Sequence, residues 1–241
     1  MFGRDDNPAP SHPRRMIPLR DDNPAHRPPI VTMALIAACV AVFLWELGQG
    51  DRGMQVAIYR LGMIPAVLLG SAPAEIAAVP PAATLVTSMF LHGGWMHLLG
   101  NMLYLWIFGN NVEDRLGHAR YALFYLGSGL VAAAAQILPE PGSEIPMVGA
   151  SGAISGVLGA YVVLFPHARV LVLIPVGIPL FRYVRAAWVL GIWFGLQIVS
   201  GLLAPSGSGV AWWAHVGGFV AGFALAQPLR RRLPARRGPW G

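Results

Sequence analysis

Beyond residue 30 the chain is dominated by long apolar runs with short polar breaks. Six of them approach the roughly 20 residues needed to cross a bilayer's hydrocarbon core. They cover about 30–48, 94–110, 121–138, 148–166, 186–204 and 211–229. Two further runs fail that test. Met54–Gly70 contains Arg60 and Pro65 and is followed by Pro80 and Pro81, so it reads as an interfacial stretch in a long first loop. Val170–Phe181 has only 12 residues and is interrupted by Pro175 and Pro179, which also puts it at the interface. Residues 1–29 carry Pro8, Pro10, Pro13, Pro18, Pro24, Pro28 and Pro29 among mixed charges, a composition that builds no packed core. The hexapeptide R-D-D-N-P-A occurs there twice, at Arg4–Ala9 and Arg20–Ala25, too few copies for a solenoid. The expected organisation is a disordered cytoplasmic tail (1–29), an all-α membrane domain of six transmembrane helices (30–229) and a basic cytoplasmic tail (230–241).

The charges test this count. Every one of the 17 basic residues is arginine. With the N-terminus inside, only Arg52 and Arg60 fall outside, and the other arginines lie on the inner side, as the positive-inside rule expects. A seventh span at Val170–Phe181 would send the five C-terminal arginines outside. Composition agrees with a membrane protein: 55% hydrophobic and 12% charged residues, against roughly 25% charged in soluble domains. The formal charge of +6 lies mostly in the two tails, so it argues for no nucleic-acid partner. Cys39, the single cysteine, sits in an apolar run and permits no internal disulfide or thiolate cluster. The polar N-terminus argues against a cleavable signal peptide. The arginine-only, Ala/Gly/Pro-rich composition points to a bacterial cytoplasmic membrane.

Polar side chains inside spans are costly and mark function by default. His97 with Asn101, Ser151, and His215 each lie about one turn into spans two, four and six. Those three spans run from outside to inside, so at about 1.5 Å rise per residue the groups share one shallow layer. The faces agree. His97 and Asn101 stand at i and i+4 on one side of span two. Gly152, Gly156 and Gly159 form a smooth stripe after Ser151, and His215, Gly218 and Gly222 share one face of span six. Small residues let helix backbones approach closely in lipid, which would bring His215 beside Ser151.

A serine hydroxyl needs an adjacent base, and histidine is the usual one. Acyl transfer also needs donors aimed at the developing oxyanion. The Ser151 backbone N–H, the Asn101 amide and the His97 imidazole can supply them. Spans two, four and six contain no Asp or Glu, so the expectation is a Ser–His dyad without a carboxylate. Each feature alone has a plainer meaning. Intramembrane serines mostly bond their own backbone, an Asn often joins two helices, and small-residue stripes mostly pack. G-A-S-G also lacks the second glycine of a G-x-S-x-G elbow, because residue 153 is Ala153. Joint depth and facing carry the case. Ser155 is a rival nucleophile one turn deeper. His92 is expected in the loop outside span two, His118 and His167 in solvated inner loops, and Glu113, Asp114 and Arg115 in caps or pairs. No metal or cofactor is implied.

These residues resemble the rhomboid family of intramembrane serine proteases over about residues 30–229. The stretch Leu91–Asp114, L-H-G-G-W-M-H-L-L-G-N-M-L-Y-L-W-I-F-G-N-N-V-E-D, is similar to the family's second transmembrane segment. Its H-x-x-x-N falls on His97 and Asn101, its G-x-S-G on Gly149–Gly152 and its last-helix A-H-x-x-G on Ala214–Gly218. The resemblance implies Ser151 as nucleophile, His215 as general base and acid, His97 and Asn101 as oxyanion side chains, and transmembrane helices as substrates cut near the outer membrane surface. Two features depart from the pattern. The first-loop Trp-Arg pair of many members is absent, with Ala83 and Thr84 nearby. Ser155 stands where some members place an aromatic ring that stacks on the histidine, which leaves packing or another ring to position His215. Span five, with Trp193 and Phe194, is implied as the substrate gate. The competing readings are an idle rhomboid-like protein that binds membrane clients, and a small transporter, which would carry broken helices or charges at mid-depth.

Overall fold

A computed structural model describes residues 17–176, 178–205 and 209–232, and the six long apolar runs fall on helices in it. The elements in order are β1 (Ile17–Asp21), α1 (Ile30–Gly48), α2 (Gly50–Leu61), α3 (Pro65–Leu68), α4 (Thr84–Thr87) and α5 (Trp95–Tyr104). A π-helical turn, Leu105–Gly109, joins α5 to α6 (Asn110–Leu116). Then come α7 (His118–Ile137), α8 (Ser151–Leu164), β2 (Arg169–Val176), β3 (Ile178–Arg185), α9 (Ala186–Leu203) and α10 (Trp212–Arg232). The chain is therefore mostly helical. Helices α1 and α9 are each long and apolar enough to cross a membrane.

Helix α8 is the centre of the fold. It is buried along nearly its whole length between α7 and α10, and glycine makes that possible. A Cβ at Gly218 would run into the Gly152 carbonyl, one at Gly222 into the Gly156 backbone, and one at Gly159 into the Phe219 carbonyl. Gly152 and Gly156 also face Ala132 and Ser128 of α7. Backbone-to-backbone contact of this kind gains dispersion energy where lipid offers no hydrophobic drive. Span four is shorter than the expected 148–166. Gly149 has φ +114°, which stops the helix from starting earlier, and Phe165 leaves helical geometry just ahead of Pro166.

The fold differs from an all-α expectation in one place. Strands β1, β2 and β3 form an antiparallel sheet in that order, with Ile17 opposite Leu173 and Leu171 opposite Tyr183. The short run over Val170–Phe181 is mostly this β2–β3 hairpin. Its Val170 and Val172 point inward and are fully buried, the period-two pattern of a half-buried strand. The expectation of a disordered tail fails from Ile17 onward. The second R-D-D-N-P-A copy is bound to the bundle: Asn111 Nδ2 and the Tyr161 hydroxyl each donate to Asp21 Oδ2 at 2.6 Å. Asp22 accepts from the Arg169 backbone at 2.8 Å, and Asn23 donates to Asn111 Oδ1 at 2.8 Å. The first copy and residues beyond 232 lie outside the described residues.

Glu113 anchors the start of α1. Its carboxylate accepts from the backbone N–H of Val31 and Thr32 at 2.8 Å each, and from the Thr32 hydroxyl at 2.7 Å. These are N–H groups that a helix start leaves without internal partners. His118 opens α7 rather than lying in a loop, and its Nδ1 is 2.6 Å from Glu113 Oε1.

Candidate active site

The first loop shapes the approach to α8. Met63 and Met147 exchange backbone hydrogen bonds at 3.1 and 2.8 Å, and the Gly149 N–H donates to the Ser88 carbonyl at 2.8 Å. This part of the loop needs no Trp-Arg pair: the prolines and the Thr84 hydroxyl, which donates to the Pro81 carbonyl at 2.5 Å, fold it locally. The pinned segment delivers Gly149 in left-handed geometry. Ser151 is then the first residue of α8, so its N–H is among those the helix itself does not bond.

Three helices bring polar groups to that point. His215, in the first turn of α10, places Nε2 2.8 Å from Ser151 Oγ. The Gly152–Gly218 approach allows this reach. From α5, His97 and Asn101 face Gly149: a Cβ there would lie 2.6 Å from His97 Nε2 and 3.6 Å from Asn101 Nδ2. The Gly93 N–H donates to His97 Nδ1 at 3.4 Å. That contact favours the tautomer with its proton on Nε2, the nitrogen facing Gly149. Asn101 Nδ2 is buried without a hydrogen-bond partner, a donor held ready at a cost. Ser151, His215, His97 and Asn101 all line one cavity of about 570 Å³. A hydroxyl with a base at hydrogen-bond distance, facing donors across a cavity, is equipped for acyl transfer.

The rhomboid domain model matches residues 81–232, which span every one of these groups. The chain belongs to the rhomboid family. Similar proteins include Rhomboid protein 1, mitochondrial, of Saccharomyces cerevisiae, 29% identical over 231 residues, with 88% of this chain and 59% of that protein aligned. Rhomboid protease GluP of Bacillus subtilis is 32% identical over 145 residues, covering 60% of this chain and 25% of that one. RHOMBOID-like protein 5 of Arabidopsis thaliana is 40% identical over 76 residues, 32% of this chain and 25% of the relative. The chain spans less than two thirds of the length of these relatives. As a rhomboid it is embedded in a membrane.

Within this rhomboid framework the remaining polar residues find their places. The Ser155 hydroxyl donates to the Ser151 carbonyl at 2.6 Å, the ordinary back-bond of a helical serine, which commits its proton to the backbone. His92 lies in the loop just outside α5, as expected, and is fully buried there. Its Nδ1–H donates to the Phe90 carbonyl at 3.1 Å, its backbone N–H to Glu46 at 3.2 Å, and its ring contacts His97 edge-on at 5.1 Å. Burial, and then the neighbouring His97, lower its pKa to about 4, so it supports His97 as a neutral ring. Other rings flank His215: Trp193 at 5.9 Å and Trp212 at 6.2 Å. The sequence reading missed Gln197, whose Oε1 lies 2.7 Å from His215 Nδ1. The signal was present, since an amide within a span is itself an expensive polar group, but Gln197 lies on span five, apart from the three spans whose polar residues share one layer.

Proposed function

We propose that this rhomboid is an intramembrane serine endopeptidase that cleaves transmembrane helices of other proteins near the outer membrane surface. The observation that carries the reading is the 2.8 Å contact between His215 Nε2 and Ser151 Oγ at the cavity. Six crossings are proposed: α1, the α5–α6 rod, α7, α8, α9 and α10, with both termini cytoplasmic. Exposed Leu123, Trp188, Leu202 and Leu203 fit a lipid-facing surface. Helix α8, with 14 residues, is only about 21 Å long, and its Ser151 end lies at the cavity through which water would enter.

The steps follow from the geometry. Ser151 Oγ attacks the scissile carbonyl carbon as its proton passes to His215 Nε2. The oxyanion is met by the Ser151 N–H, the Asn101 amide and the His97 Nε2–H. His215 then gives its proton to the departing amine, and water hydrolyses the acyl-enzyme with His215 again as base. The relatives' names add support, one of them being called a protease.

Labelling the detergent-solubilised protein with a fluorescent fluorophosphonate tests the reading. The signal is expected in wild type and Ser155→Ala, and is expected to vanish in Ser151→Ala and His215→Ala. Loss in Ser155→Ala alone would move the nucleophile one turn deeper. A folded wild type that neither labels nor cleaves a transmembrane reporter in lipid would make this chain an idle, client-binding rhomboid.

A further inference from the structure

Gln197 stands on α9, one turn beyond Trp193, and is 7% exposed. Its Oε1 is 2.7 Å from His215 Nδ1. Its Nε2 faces the Trp193 carbonyl at 3.4 Å, a contact only the NH₂ end can make as donor. That second contact fixes which way the amide points. An amide oxygen has no proton to give, so His215 Nδ1 must carry the hydrogen. A neutral imidazole has one N–H. With the proton on Nδ1, Nε2 presents a bare lone pair to Ser151 Oγ.

We propose that Gln197 is a positioning residue that holds His215 as the Nδ1–H tautomer and orients its ring toward Ser151, filling with an uncharged amide the place a carboxylate takes in other serine hydrolases. The inference rests on the hydrolase reading above. Aromatic flanking by Trp193 and Trp212 limits ring tilt but offers no acceptor to Nδ1. Gln136 of α7 reaches the same helix start but accepts from the Ala214 backbone at 3.2 Å, leaving the ring to Gln197. The device suits its surroundings, because a buried carboxylate would carry a large desolvation cost that an amide avoids.

The test uses the full-length protein in lipid, with two variants. Gln197→Met keeps the volume and removes the acceptor; kcat is expected to fall about 10- to 100-fold with KM changed less than threefold. The rate of fluorophosphonate labelling should fall in parallel, and that small probe does not depend on docking a transmembrane substrate. Gln197→Glu restores the acceptor and adds charge. It should retain activity, while the acidic limb of kcat/KM against pH moves up by about one unit, because a carboxylate stabilises the imidazolium. The groups facing His215 are Ser151 of α8, Gln197 and Trp193 of α9, Trp212 of its own helix and His97 of α5. Of these His97 is the one other imidazole, and it is common to every variant. Wild-type kinetics in Gln197→Met, or an unmoved acidic limb in Gln197→Glu, would overturn the assignment while leaving the Ser151 reading intact. Absence of Ser151-dependent labelling in wild type would remove both. If Gln197→Met does not fold, the pH limb of Gln197→Glu decides.

Discussion

Adding one methyl group at Gly149 should disable the site without touching Ser151 or His215. A Cβ there would sit 2.6 Å from His97 Nε2 and 2.7 Å from its Cε1. Carbon contacts settle near about 3.5 Å, so the ring must retreat by about 1 Å. A displacement of that size at a catalytic group costs about 100-fold in rate. The φ of +114° adds backbone strain, worth about 1–3 kcal/mol for a residue with a side chain. Gly149→Ala is therefore expected to lower kcat about 100-fold and to unfold at lower denaturant. Cleavage of a fluorescent transmembrane reporter in proteoliposomes gives the first number, and unfolding in mixed micelles gives the second. His97→Ala supplies the decisive control. If the methyl acts through the ring, adding Gly149→Ala to His97→Ala should cost little further activity. Two losses that multiply, or a Gly149→Ala enzyme within threefold of wild type, would refute the placement of His97 at the oxyanion.

Asn101→Ala should reduce kcat by about 100- to 1,000-fold with an unchanged melting temperature, because its Nδ2 holds nothing in place; kinetics and thermal unfolding on one sample check both halves. Gly222→Ala should destabilise by about 1–3 kcal/mol, since the new Cβ meets the Gly156 backbone, which has no side chain to swing aside; denaturant titration reads it. Glu113→Ala strips the bonds from Val31 and Thr32 and should cost at least about 3 kcal/mol, with hydrogen exchange fastest at the start of α1. The Asp21 carboxyl is pushed up to about 6 by burial, against the Tyr161 bond that lowers it and with the Asp22 charge adding to the rise. Its folded pKa lies above the unfolded one. Docking of β1 should therefore be tightest below about pH 4 and weaken as pH rises through about 6. Exchange protection of β1 amides across that range measures it, and Asp21→Asn should flatten the profile.

Much of the fold was legible because its signals are local. Runs of apolar residues mark the helices, and their lengths need no partner to be read. Gly152, Gly156 and Gly159 mark a smooth face on α8 and Gly218 and Gly222 another on α10, and the two faces do meet. Polar residues near the starts of helices that run the same way stand at similar levels, which is why Ser151, His97, Asn101 and His215 could be grouped from the sequence, and they line one cavity. Distant partners were not legible. Nothing near Asp21 in the chain announces Tyr161, 140 residues away, or Asn111, 90 away, so a proline-rich tail read as unstructured. Ser155 could be judged only once its hydroxyl was seen on the Ser151 carbonyl.

The sequence by itself determined which helices form, which faces can approach closely and which side chains stand at one level, because periodicity and side-chain volume act within a few residues. The tertiary structure decided which way each of those groups points and what it bonds. Gly149 in left-handed geometry starts α8 at Ser151, and α9 lies close enough to α10 to set Gln197 against His215. Those are distances between elements that no local pattern encodes.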